Sequence, residues 1–259
     1  MKKNILLILL LHFVLAVFSQ NTDSTIAPAL GIDSSQKADK RKTFVSGSVT
    51  ATNNGISLVP AFSLEKPAAI FDLAVKRNKF SFEPEFAFGF DDVKPWYFVF
   101  WFRYKLIETS TFNLGVGFHP GFLFSTTNLV VNGANKEYFT TARFFVGALS
   151  PNYTIAKDVS IGIYYQYARG YNIDLKQSQF LGANFNFSNV RLPGKFYLKL
   201  APQVYYLKND DKDGLYANAS ITLAKSNSPF SMATLLNKKL QSDIDGKNFI
   251  WNISFTYSY

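Results

Sequence analysis

The strict two-residue alternation of residues 80–90 constrains the fold of this chain more than any other feature. Every even position from Phe80 to Phe90 is Phe or Pro, and every odd position is small or acidic. A helix would distribute these apolar residues around its circumference, whereas a strand places them all on one face. The segment is therefore predicted to be a β-strand with one apolar and one polar face.

The same period recurs along the chain from Phe44 onward, and no stretch after residue 19 is long and apolar enough for a spanning helix. Aromatic residues make up 17% of the chain although its mean hydropathy is +0.01. Strands that show one face to lipid and the other to water explain this combination. The sequence predicts an all-β fold, namely a transmembrane antiparallel up-and-down β-barrel.

The first residues of the chain have the pattern of a secretory signal. Lys2 and Lys3 precede an apolar run that ends near Phe18, and small residues precede a cleavage site that we place after Ser19. Residues 1–19 are therefore predicted to be a signal peptide, residues 20–42 a flexible periplasmic arm, and residues 43–259 the barrel. Export predicts that the protein lies in the outer membrane of a Gram-negative cell.

Alternation divides the barrel region into thirteen candidate segments, whereas bacterial single-chain barrels have an even number of strands. Asn53-Asn54-Gly55 is either a tight turn or a kink in one long first strand. We prefer the kink, which gives twelve strands, with fourteen as the alternative. The candidate segments are 44–52, 56–64, 68–77, 79–90, 96–107, 111–125, 138–156, 159–169, 178–188, 195–207, 215–225, 229–239 and 248–259.

A periplasmic C-terminus assigns the connections to the two sides of the membrane. Those near 126–137, 170–177, 208–214 and 240–247 are predicted to lie outside the cell, and those near 156–158 and 225–228 in the periplasm. Most of the longer and more polar connections thus fall on the outer face, as is usual for such barrels.

Charged residues in mid-strand are predicted to face the lumen, because a Lys or Arg facing lipid at the midplane costs about 2–4 kcal/mol. An antiparallel register summing to 186 or 188 would set Glu83 opposite Arg103 or Lys105. The predicted lumen charge network comprises Asp72, Glu83, Glu85, Arg103, Lys105, Arg143 and Lys199. The other residues predicted to face the lumen are Trp101, His119, Tyr164, Gln166, Tyr197, Gln203 and Tyr205.

The residues that catalysis needs are scarce. His119 is the one histidine of the mature chain, it has no nearby serine before Ser125, and there is no cysteine. We therefore expect no catalytic residues, no metal and no cofactor. A lipid-modifying enzyme that depends on His119 is the least favoured of three functional hypotheses.

The charge of the chain indicates its partners. The 27 basic residues less Lys2 and Lys3 leave 25 against 18 acidic residues, a net charge of +7. Because the chain is exported, we expect outer-membrane lipid and lipopolysaccharide rather than nucleic acid as partners. A solute or protein partner is not indicated.

Several blocks make this chain resemble the outer-membrane β-barrel proteins of similar length that are common in Bacteroidota. The resemblance implies a porin-like barrel and recognition of the C-terminus, through Phe255, Tyr257 and Tyr259, by the barrel-assembly machinery. It carries over no site residues. The matching blocks are Phe18-Ser19-Gln20, Leu64-Glu65-Lys66-Pro67-Ala68, Lys94-Pro95-Trp96, Pro202-Gln203-Val204-Tyr205-Tyr206-Leu207 and the aromatic end from Trp251 to Tyr259.

The leading hypothesis from the sequence is a small passive channel with a charged lumen. The alternative is a structural or binding barrel that is plugged inside and acts through its extracellular loops. The two differ in whether the lumen at the level of Glu83 and Arg103 is open.

Overall fold

The computed structural model describes residues 43–91, 93–131 and 134–259. Twelve antiparallel strands close into a barrel in which each strand pairs with its neighbours in the chain and β1 pairs with β12. The predicted fold class and the count of twelve are thereby confirmed. The strands are β1 Thr43–Thr52, β2 Ala68–Arg77, β3 Phe80–Gly89, β4 Pro95–Glu108, β5 Phe112–Val131, β6 Ala134–Ala156, β7 Val159–Tyr171, β8 Gln177–Arg191, β9 Phe196–Asn209, β10 Lys212–Lys225, β11 Phe230–Ser242 and β12 Phe249–Ser258.

The two ends of the barrel differ in their connections. We call the end at which β1 begins and β12 ends the terminal rim; there the backbone of Tyr259 exchanges hydrogen bonds with Gly47. The opposite end, the loop rim, carries the connection of residues 53–67 between β1 and β2 and that of residues 243–248 between β11 and β12. The predicted signal peptide and periplasmic arm lie outside the described residues.

Alternate residues of each strand face the inside and the outside of the barrel. On β9, Gln203, Tyr205 and Leu207 are buried, whereas Val204 and Tyr206 are exposed. Each of the twelve strands carries at least one exposed large apolar side chain. The barrel therefore has an apolar exterior, with polar and aromatic side chains inside.

The prediction that residues 56–64 form part of a kinked first strand is wrong. β1 ends at Thr52, and residues 53–67 form an irregular loop with a short 3₁₀ turn over Pro60–Phe62. We call this segment the inner loop. The count of twelve is right because this segment is not a strand, rather than because it continues one. Among the described residues, no helix is long and apolar enough to cross a membrane.

The prediction that residues 126–137 form a loop is also wrong, because most of them belong to strands β5 and β6. β5 and β6 stay paired from Phe112 opposite Tyr153 to Val131 opposite Ala134. The pairing with their neighbours ends earlier. β4 pairs with β5 as far as Tyr97 opposite Leu123, and β7 pairs with β6 as far as Tyr171 opposite Arg143. The outer part of the β5–β6 hairpin thus projects beyond the loop rim without a lateral strand partner.

Candidate functional site in the barrel lumen

The inner loop crosses the barrel and packs against its far wall. Val59 is buried in one apolar cluster with inward-facing side chains of β7 to β10, although β1 and β2 lie on the other side of the ring. A connection that leaves β1 at the loop rim can reach the inner faces of those strands only through the lumen. The inner loop therefore occupies the lumen near the loop rim. The wall residues of this cluster are Tyr164, Phe180, Tyr205, Leu207 and Tyr216.

A stack of aromatic rings forms the wall surface that receives the inner loop. The ring of Tyr205 lies between Phe180 and Tyr216, with centroid distances of 4.7 and 5.0 Å. Tyr205 and Tyr216 are each only 1% exposed, so the packing leaves little space around them. The Tyr205 hydroxyl lies 3.2 Å from the Leu58 carbonyl oxygen of the inner loop and 3.0 Å from Asn237 Oδ1.

The opposite side of the inner loop contacts β4 and β6. Trp96 Nε1 donates a hydrogen bond to the Phe62 carbonyl oxygen at 2.9 Å, and the Phe62 ring lies 4.7 Å from that of Phe144. At the base of the loop, a Cβ on Gly55 would come within 2.8 Å of the Trp96 ring. Only glycine allows the chain to pass this close to the indole.

The inner loop makes most of its backbone hydrogen bonds within itself. Gly55 accepts bonds from the amides of Leu64 and Glu65, and its own amide donates to the Lys66 carbonyl oxygen. The Ser63 hydroxyl accepts a hydrogen bond from the Ser57 amide and donates one to the Ser57 carbonyl oxygen. The loop is thus a compact unit with a closed base, held to the wall mainly by apolar contacts.

The connection of residues 243–248, which we call the cover loop, lies over the inner loop. Its Ile244 joins the cluster around Val59, and an ideal Cβ on Gly246, whose φ is +136°, would lie 3.2 Å from Pro60 Cβ. Lys247 Nζ forms an ion pair with Glu65 Oε2 at 2.7 Å. The two loops together cover the lumen at the loop rim.

Two lysine side chains of the barrel also hold the cover loop through hydrogen bonds. Lys239 Nζ donates to the carbonyl oxygens of Ile244 and Gly246 at 2.6 and 3.1 Å. Lys212 Nζ donates to Asp245 Oδ2 at 2.6 Å, which lowers the pKa of that exposed carboxyl group. The cover loop is therefore held by basic side chains from the ends of β10 and β11.

An ion pair lies in the lumen between β3 and β4. Arg103 Nε donates to Glu83 Oε2 at 2.9 Å, and both side chains are about a quarter exposed, at 23% and 28%. The guanidinium carbon of Arg103 lies 3.9 Å from the centroid of Trp101, whose ring lies 4.1 Å from that of His119. The pair thus lies in a partly open, aromatic-lined section of the lumen.

The register predicted for β3 and β4 is wrong. Ser81 lies opposite Arg103 and Glu83 opposite Trp101, so the paired numbers sum to 184 over Phe80 to Ala87. A bulge between Ala87 and Phe88 shifts the pairing next to the connection. Glu83 and Arg103 consequently meet diagonally, two residues apart, instead of face to face.

Asp72 and Glu85 form a second polar cluster in the lumen. They lie opposite each other on β2 and β3. Ser48 Oγ donates to Asp72 Oδ2 at 2.8 Å, and the Tyr97 hydroxyl donates to Glu85 Oε1. These hydrogen-bond donors are hydroxyl groups, so this cluster is separate from the Glu83–Arg103 ion pair.

Three residues of the predicted charge network lie apart from these two clusters. Lys105 pairs with Glu108 near the terminal rim, and Lys199 lies 5.6 Å from the centroid of Tyr197 on the inner face of β9. The prediction that Arg143 faces the lumen is wrong. It lies on the outer face with Phe145, between the buried Ala142 and Phe144.

The other predicted lumen residues lie on the inner faces of their strands. The Tyr164 hydroxyl donates to Gln166 Oε1 at 3.0 Å, and Gln203 Oε1 accepts from Asn218 at 2.7 Å. His119 is 7% exposed against Trp101, and no group among the described residues has the composition of a metal site. At the C-terminus, Phe255 and Tyr257 lie on the outer face, 63% and 42% exposed.

The inner and cover loops are the site elements that the sequence prediction missed. A signal was present in the apolar side chains of Leu58, Val59 and Phe62, which break the alternation around Pro60. Apolar residues that pack inside the lumen cannot be distinguished by composition from those that face lipid.

The closed barrel of twelve antiparallel strands is the fold of porin-like outer-membrane proteins. An outer membrane channel of Pseudomonas putida F1 is 10% identical, with a TM-score of 0.50 over 88% of this chain and 100% of the channel. The KdgM porin in complex with disordered oligogalacturonate is 11% identical, with a TM-score of 0.48 over 83% of this chain and 99% of the porin. At these identities the likeness concerns the fold.

Comparison by sequence adds no relative to these. No protein-family model matches the chain, and no curated protein matches it. The interior of the barrel is therefore the basis for inferring a function.

Proposed function

We propose that this protein is an outer-membrane channel for small polar solutes, closed at the loop rim by the inner loop and opened when that loop is displaced. The terminal rim would face the periplasm, and the apolar exterior would contact outer-membrane lipid. The observation that carries the proposal is the inner loop itself, a compact unit that packs inside the lumen near the loop rim and forms most of its backbone hydrogen bonds internally. Such a unit can leave the wall without breaking the barrel.

The lumen below the inner loop supports conduction rather than a purely structural role. Glu83 and Arg103 remain partly exposed in the barrel interior, and Lys199 and Tyr197 lie half-buried on the inner face of β9. Charged and polar side chains around a partly open passage replace the hydration of a passing solute. The plugged binding barrel remains the competing hypothesis, since the contacts of Val59 and Tyr205 with their neighbours are tight.

A reversible crosslink between the inner and cover loops tests the proposal. The Pro60→Cys/Gly246→Cys variant joins positions whose Cβ atoms lie near the spacing of a disulfide, about 3.5–4.5 Å, in a chain without other cysteines. In planar bilayers we expect openings in the reduced variant and loss of openings on oxidation. Each single-cysteine variant, given the same treatment, controls for oxidation and for the strained backbone at Gly246.

The possible outcomes separate the two hypotheses. Openings that vanish on oxidation and return on reduction support a channel gated by the inner loop. An oxidised double variant that opens as often as the single variants would contradict the gate. Full-length protein that never conducts, under any redox condition, favours the plugged barrel instead.

The lumen ion pair is expected to set ionic selectivity. Glu83→Gln leaves Arg103 without its carboxylate and should shift the reversal potential toward anion selectivity, whereas Arg103→Gln should shift it toward cation selectivity. The reversal potential is measured in bilayers with a KCl gradient. Glu108→Gln, which removes the partner of Lys105 near the terminal rim, is the matched control and should cause a smaller shift. Shifts of equal size in all three variants would show that the Glu83–Arg103 pair does not line the narrow section.

A further inference from the structure

Six side-chain amides occupy successive register positions on the inner wall. Asn113 lies opposite Asn152, Asn184 opposite Gln203, and Asn218 opposite both Gln203 and Asn237. On β7, between Asn152 and Asn184, the same row passes through Gly162. We call this series, which crosses β5 to β11 without interruption in register, the amide row.

The amide row runs obliquely from the terminal rim toward the inner loop. Asn113 is the second residue of β5 and lies near the terminal rim, whereas Asn237 lies in the half of β11 next to the loop rim. The Tyr205 hydroxyl lies within hydrogen-bond distance of Asn237 Oδ1 and of the Leu58 carbonyl oxygen. The row therefore leads from one opening of the barrel to the contact that holds the inner loop.

Part of the hydrogen-bonding capacity of the row is unused by the protein. Asn113 Oδ1, Asn152 Oδ1, Asn184 Oδ1 and Gln203 Nε2 are buried without a hydrogen-bond partner among the described residues. Asn113 and Asn184 are only 2% and 3% exposed. A buried polar group without a partner costs about 1–3 kcal/mol, so such a series is expected to serve a polar ligand.

Two of these unpartnered oxygens converge over Gly162. An ideal Cβ at this position would lie 3.0 Å from Asn152 Oδ1 and 3.1 Å from Asn184 Oδ1. Any larger residue here would displace both amides. The glycine thus lets the two amides approach the backbone of β7 closely in the middle of the row.

The charge of the two walls indicates the class of ligand. The wall of β2 to β4 carries Asp72, Glu83, Glu85 and Arg103, which contact one another or their neighbours. The other wall carries Lys199 beside Tyr197 on β9, but the amide row itself is uncharged. Amides donate and accept hydrogen bonds, and so do hydroxyl groups, whichever way each amide is oriented. We propose that the amide row binds uncharged, hydroxyl-rich solutes such as short saccharides. This inference rests on the proposed channel and names its solute class.

Equilibrium binding to the full-length protein in detergent micelles tests the inference, with maltotriose as the probe. A neutral hydrogen bond contributes about 0.5–1.5 kcal/mol, so Asn184→Leu should raise the Kd about three- to tenfold. Asn186→Leu is the matched control. Asn186 lies on the same face of the same strand but outside the row, and its Nδ2 donates a hydrogen bond to Ser160 Oγ at 3.4 Å. Triethylene glycol dimethyl ether, whose oxygens only accept hydrogen bonds, should bind more weakly than maltotriose.

Each outcome decides the inference separately from the channel. A folded Asn184→Leu variant that binds maltotriose as tightly as Asn186→Leu contradicts the amide row as the binding site, as does equal weakening in both. Triethylene glycol dimethyl ether binding as tightly as maltotriose also contradicts it. Wild-type protein that conducts but binds no maltotriose overturns this inference alone. Binding that depends on Asn184 without any conductance supports the row and overturns the channel.

Discussion

Shortening the inner loop is expected to raise single-channel conductance several-fold. Replacing residues 56–63 by a short Gly-Ser turn removes Val59 and Phe62, which fill the lumen between the aromatic wall and Phe144. The ends of the replaced segment are already adjacent, because Leu64 donates to the Gly55 carbonyl oxygen at 3.0 Å. The barrel strands are untouched, so the β-sheet should form normally.

The measurement is the conductance distribution of purified protein in planar bilayers, with circular dichroism to verify the sheet. A deletion of equal length at the tip of the β5–β6 hairpin is the control, because that hairpin projects beyond the loop rim and should leave conductance unchanged. A folded, shortened variant that does not conduct would show that other side chains close the lumen. The channel proposal would then fail.

The second large effect is expected from Tyr205, the central residue of the aromatic wall. Tyr205→Ala removes a ring stacked between Phe180 and Tyr216 and should lower the free energy of unfolding by about 3–5 kcal/mol. Tyr205→Phe keeps the ring but leaves Leu58 O and Asn237 Oδ1 without the hydroxyl, which should cost about 1–3 kcal/mol. Denaturant titration in micelles measures both changes.

Tyr206→Ala provides the comparison on the same strand. Tyr206 faces outward and is 39% exposed, so its loss should be less destabilising than that of Tyr205. We also expect Tyr205→Ala to raise the frequency of channel opening, because it weakens the contact with the inner loop. If Tyr206→Ala is as destabilising as Tyr205→Ala, the packing of the inner loop contributes little to stability. If Tyr205→Ala is destabilised but opens no more often, Tyr205 does not hold the gate.

The sequence predicted the strands well because their signal is local. Alternation in residues such as Phe80 to Phe90 follows directly from a strand with lipid on one side and water on the other. Twelve of the thirteen candidate segments correspond to strands, and the bounds of β2, 68–77, agree at both ends. The same local rule assigned the inner faces that carry Glu83, Arg103 and Tyr205.

Arg143 shows where a local rule fails. The two residues that follow it, Phe144 and Phe145, are both large and apolar, so alternation does not distinguish the two faces there. The charge was therefore assigned inward because of its cost in lipid. In the structure, Arg143 lies opposite Tyr171, the last pair of β6 with β7 at the loop rim. The cost of an outward Lys or Arg falls to about 0–1 kcal/mol near the membrane interface.

The sequence by itself predicted the barrel and the alternation of its faces, because both depend on neighbours within one strand, but it left the strand count at twelve or fourteen. Only the tertiary structure decided that residues 56–64 enter the lumen, that Tyr205 meets Leu58, and that six amides align across seven strands. These contacts join residues that are distant in the chain, and they depend on barrel closure and on a register set by bulges. Neither barrel closure nor that register can be predicted from the amino-acid composition.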